Sequence, residues 1–100
     1  MSMNPYLTDA SEPRTRAIMH EDVGNNALIT AGDAADLGNV AVAVTYYRMA
    51  AQAFYTAAKL REQAGRLSGG TELDTHCAEA HRLDAEHADL AAFSLADSNP

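Results

Sequence analysis

Polar residues recur at Thr45, Arg48, Gln52, Thr56 and Lys59, while most other positions across residues 40–67 are apolar, which predicts a long helix with one narrow wet stripe. One dry face runs Val40, Val44, Tyr47, Ala51, Phe54, Ala58, and a second runs Val42, Tyr46, Met49, Ala53, Leu60, Leu67. Such a helix has to be covered around most of its circumference. At about 1.5 Å per residue it is roughly 40 Å long, more than the roughly 34 Å diameter of a compact domain of this length, so the molecule should be elongated. One packing partner hides one face, and the second requires another helix from the same chain or from a copy.

A helix is also predicted over residues 12–36. Ser11 is the expected cap, with Pro13 in the first turn where its missing N–H costs nothing. Its small face is Ala17, Gly24, Ala27, Leu28, Ala31, Ala35, narrow enough for close approach by a neighbour. Gly24-Asn25-Asn26 can break this segment, so one helix or two fit the sequence equally. Leu37-Gly38-Asn39 and Ser68-Gly69-Gly70 mark the turns. Thr71 with Asp74 three residues on reads as a capping box for a third helix over residues 72–95. Its inward face is expected to be His76, Ala80, Leu83, His87, Leu90, Ser94, bordered by Leu73, Cys77 and Ala91. Residues 1–10 are polar and read as a flexible arm, and 96–100 as a frayed tail. The expected fold is all-α, an elongated antiparallel bundle of three helices, or four if the first is broken, with a long central one.

Composition makes the core thin. Of the 47% apolar residues, 21 are alanine, and ordering a chain of this size costs on the order of 100–200 kcal/mol, so self-association as a homodimer or larger homo-oligomer is expected. No apolar run approaches the ~18 residues of a membrane span, and the polar start Met1-Ser2-Met3-Asn4-Pro5 lacks the pattern of a signal peptide. One cysteine cannot form an internal disulfide, which suits a cytoplasmic protein.

Charge is unevenly placed. Residues 1–67 hold seven acids and six bases, whereas 68–100 carry seven acids against the single base Arg82. Direct nucleic-acid binding through that third is disfavoured, and docking on a basic protein is permitted. The acidic docking face comprises Glu72, Asp74, Glu79, Glu86 and Asp89.

For chemistry the chain offers little. Cys77, His81 and Asp84 stand at i, i+4 and i+7, one side of a helix, and form a weak metal candidate. No glycine-flanked nucleophile, phosphate loop or HExxH pair is present, so neither enzymatic activity nor a cofactor is expected. Charging His76 or His87 on the inward face would oppose packing and couple stability or assembly to pH between about 5 and 7.

The stretch from Gly38 to Ala50 resembles the turn and second helix of a tetratricopeptide repeat, with Gly38, Ala43, Tyr46, Tyr47 and Ala50 at the family's places and Ala31 at the small crossing position of the first helix. The likeness covers residues 27–54. It implies the geometry of one helical hairpin, and a lone repeat makes no peptide-binding superhelix. The alanine-rich stretch 50–67 is also similar to small helical proteins of actinobacteria and their phages.

The function these features suggest is a protein–protein interaction module that self-associates through Val42, Tyr46, Met49, Ala53 and Leu60 of the central helix. The alternative is an acidic phage or mobile-element inhibitor that docks on a basic nucleic-acid-binding surface of a host protein.

Overall fold

In a computed structural model, which describes residues 9–67 and 69–98, the chain forms α1 (Ser11–Asp36), α2 (Val40–Arg66) and α3 (Glu72–Ser98). α2 is the middle member and packs on both neighbours. Arg14 near the start of α1, Arg61 near the end of α2 and Asp74 near the start of α3 meet in space, so successive helices run antiparallel. The fold is an all-α three-helix bundle. It is long and thin, with a radius of gyration of 16.2 Å and extents of 62 × 19 × 16 Å, against about 13 Å for a compact domain of 100 residues. Among the described residues, no helix is long and apolar enough to cross a membrane.

α1 is one helix. Gly24-Asn25-Asn26 lie inside it because Gly24 is buried against α2 while the two asparagines face solvent, and packing outweighs a propensity cost of about 1 kcal/mol. Its start differs from the sequence expectation: Ala10 occupies the cap position, and the Asp9 carboxylate accepts the Ser11 N–H at 2.8 Å. Ala10 is fully buried, which ties down the last residues of the expected arm; residues 1–8 of that arm lie outside the described residues.

Gly38, with φ of 79°, turns the chain, and the Asn39 side chain caps α2 by accepting the Val42 N–H at 3.3 Å. In the second turn, of whose residues Ser68 is not described, a Cβ on Gly70 would stand 2.2 Å from the Ala64 carbonyl oxygen, so only glycine fits. The capping box forms as expected: Asp74 Oδ2 accepts the Thr71 N–H at 3.0 Å, and Thr71 Oγ1 faces the Asp74 N–H at 3.4 Å. α3 continues to Ser98 rather than fraying at 96, carried by Ala92, which is buried, and Leu95, which is half-buried; residues 99–100 are not described.

The core is assembled from small residues in register. Ala10, Ala17, Gly24 and Ala31 recur every seven residues on the first segment, Ala43, Ala50, Ala57 and Ala64 on α2, and Ala78, Ala85 and Ala92 on α3, and all are buried. A seven-residue repeat is the period of antiparallel coiled-coil packing, and alanine lets the axes approach toward the short end of the usual 8–10 Å. Among the described residues, the buried hydrophobic side chains other than alanine are Val44, Phe54 and Leu60. Phe54 fills the centre. A Cβ on Gly24 would lie 2.9 Å from its ring, and on the other side the ring stacks on His81 at 5.6 Å between centroids.

The inward face assigned to α3 from sequence is wrong. His76, Ala80, Leu83, His87, Leu90 and Ser94 all face outward, as does Leu73. The helical period is right and the rotation is not. What turns α3 is the fit of Ala78, Ala85, Ala88 and Ala92 into the alanine surface of α2, with Asp74 and His81 drawn in by partners on the other helices. Exposed His76 and His87 cannot oppose packing by becoming charged, which removes the basis for a pH switch at those positions.

Candidate functional site

Three features could carry function. The first is a polar cluster at the end where α1 and α3 begin. Arg14 donates to both Asp74 oxygens, at 2.9 and 2.7 Å, and also to the Gly69 carbonyl at 3.0 Å. Arg61 donates to both Glu21 oxygens, at 2.8 and 3.1 Å, and reaches Asp74 at 3.4 Å. His81 places Nε2 2.8 Å from Glu21 and Nδ1 3.2 Å from Asp84. A ring protonated on both nitrogens donates to both carboxylates.

Electrostatics follow this geometry. Hydrogen bonds from Arg14 hold the Asp74 carboxyl far below the ordinary range, against the cost of its burial and with help from the Thr71 N–H. Burial pushes Glu21 up, but the hydrogen bonds and charge of Arg61, together with His81, outweigh it and leave Glu21 lowered. The Arg61 guanidinium is held above its usual value, chiefly by Glu21. Among the described residues no buried side-chain polar atom lacks a partner, so the buried donors and acceptors of this cluster are satisfied, chiefly across helices. It is a clamp.

The sequence pointed to parts of this clamp for other reasons. His81 and Asp84 do come together, but both ring nitrogens are taken by carboxylates and Cys77 does not join them; no group of three ligands suited to a metal is found among the described residues. Asp74, assigned to the acidic docking face, is 1% exposed and ion-paired, because the capping position at the start of α3 points into the bundle beside Arg14 and Arg61. Glu72, Glu79, Glu86 and Asp89 are exposed as expected.

The second feature is a set of adjoining shallow grooves, two between α1 and α2 and one on α1 itself, lined by Arg16, Met19, His20 and Val23. Val23 lines three of them and Met49 two, with Met19, Tyr46, Ala53 and Thr56 among the other walls, and no carboxylate residue lines any of the three. Of the expected interface residues, Val42 and Met49 are exposed and Tyr46 is half-buried. Ala53 and Leu60 are buried, covered because α2 packs on both neighbours. The α1 contribution, Met19 and Val23, was missed; their spacing of four is the signal that pairs them on one side of a helix.

The third feature is the outward side of α3. Leu73, Leu83, Leu90 and Phe93 are all more than half exposed there. Between α2 and α3 a separate open groove of about 370 Å³ is lined by Arg48, Tyr55, Arg82, Glu86 and Asp89 among others, a wall of mixed charge. Arg82 itself is engaged by Glu62.

Comparison with protein-family models, with curated proteins and with solved structures finds no match.

Proposed function

We propose that this chain is a non-enzymatic helical protein–protein interaction module that self-associates through the face shared by α1 and α2. The observation that carries the reading is the exposure of Met19 and Val23 beside Met49, over grooves without a carboxylate. Methionine and tyrosine suit interface centres, the one adaptable in shape and the other offering area with a polar tip. A second copy laid on the same face meets Met19, Val23 and Met49 across the two-fold axis, with Arg16 and His20 in the groove walls and no carboxylate. The hairpin that supplies the face includes residues 27–54, the stretch that resembles a tetratricopeptide repeat. The lone Cys77 thiol suits a reducing cytoplasm.

Light scattering on a size-exclusion column tests this with the full chain and with Met49→Glu. Met49 is half exposed, so the variant should keep its helical circular dichroism. The expected result is a wild-type dimer or larger species that survives about 0.5 M salt, and a variant at least ~100-fold weaker in association, since each two-fold contact would bury two unpaired charges. A wild type that is monomeric at every concentration removes self-association. A dimer indifferent to Met49→Glu places the interface elsewhere.

A further inference from the structure

We infer that the outward face of α3 is a docking site for a basic amphipathic helix of another protein. The inner rows of α3 make its contacts with α2, so Leu73, Leu83, Leu90 and Phe93 contribute nothing evident to the bundle while standing in water on one side of a 27-residue helix. Leu83 and Leu90 lie in one row, with Phe93 at the end of the row on one side and Leu73 at the start of the row on the other, a face that a partner helix can cover through residues at spacings of three and four.

Charge names the occupant. Glu72, Glu79 and Glu86 are exposed and lie seven residues apart, about 10 Å between neighbours, in the row that ends at Phe93 and borders Leu83 and Leu90. A helix seated on those leucines repeats its own flanking positions at the same interval. Lysine or arginine there pairs with each glutamate in turn, and a carboxylate there is repelled. A second copy of α3 cannot supply the bases. Its only lysine or arginine is Arg82, already engaged by Glu62, and the rows beside Leu83 and Leu90 are Glu72, Glu79, Glu86 on one side and Leu73, Ala80, His87 on the other. No residue of α3 lines the α1–α2 grooves, so this docking uses different side chains from the proposed self-association.

The test uses the full chain and a labelled synthetic helix of four heptads, with leucine at the first and fourth positions and lysine at the positions that flank them. Two control peptides replace the lysines by glutamate, or the leucines by serine. Fluorescence anisotropy should show one Leu/Lys peptide per chain, with the glutamate version at least ~100-fold weaker and the serine version lost at about 0.5 M salt. Leu83→Ser/Leu90→Ser should weaken the Leu/Lys peptide at least ~10-fold, and Ile29→Ser, an exposed site on α1, should not. Glu79→Lys/Glu86→Lys should reverse the preference toward the glutamate peptide, and this pair decides the matter if the serine variant loses its helicity. The inference is overturned if the Leu/Lys peptide does not bind, if the serine peptide binds as tightly, which would make α3 an acidic surface and nothing more, or if Leu83→Ser/Leu90→Ser abolishes self-association, which would make a second copy the occupant.

Discussion

Where α3 meets α2 its side chains are Ala78, Ala85, Ala88 and Ala92, with Asp74 held by ion pairs and His81 by hydrogen bonds; where it faces water they are Leu73, Leu83, Leu90 and Phe93. The inner face contributes little apolar area per residue and compensates by close approach and a saturated polar clamp. The outer face has the area and no partner. Burial alone would have sent the leucines inward, at about 1.5–3 kcal/mol for each large side chain covered. That this chain buries alanines instead shows shape deciding over hydrophobicity: α2 presents alanine rows to its neighbours, and a leucine would hold the axes apart.

Disrupting the clamp should have the largest effect. Asp74→Ala leaves Arg14 and the buried Arg61 without their shared carboxylate and should cost about 3 kcal/mol in chemical denaturation at pH 7, a large share of a typical total of 5–15 kcal/mol. The same carboxylates set the acid limit. Asp74 and Glu21 are both lowered in the folded state, so the stability they confer is complete above the ordinary carboxylate range and is lost as pH falls through their folded values. Thermal melts from pH 7 to about 2 should therefore fall steeply below about pH 4.5 in the wild type, and less steeply in Asp74→Ala.

A smaller effect separates inside from outside with one substitution. Gly24→Ala drives a methyl into the Phe54 ring and should destabilise by about 1–2 kcal/mol despite the better helix former. Gly32→Ala meets no neighbouring atom within 4 Å and should stabilise by about 0.5–1 kcal/mol. Equal effects at the two sites would mean that Phe54 does not lie against α1.

Much of the fold was legible in the chain. The three helices, the turn at Gly38, the Thr71–Asp74 box and the wet stripe of α2 follow from local rules that packing did not override, whereas the cap of α1 and the end of α3 differ from them. The rotation of α3 was not, because two stripes compete on that helix and a hydrophobicity count favours the leucines. The seven-residue rows were the missed signal: Ala78, Ala85 and Ala92 match Ala43, Ala50, Ala57 and Ala64. Of the clamp, only the capping role of Asp74 and the nearness of His81 to Asp84 could be read. Pairs such as Arg14 with Asp74 and Glu21 with His81 join residues 60 apart, and no local spacing reports them.

The most direct test of small-inside, large-outside compares two variants by thermal unfolding in dilute solution. Leu83→Ala/Leu90→Ala removes apolar area from the outer face, and Ala85→Leu adds it to the inner one. The double variant should melt within about 3 °C of the wild type, and Ala85→Leu should melt about 5–15 °C lower through overpacking. A double variant that loses as much as a core truncation, with Ala85→Leu at or above the wild type, would contradict the account, because the leucines would then be the core of α3.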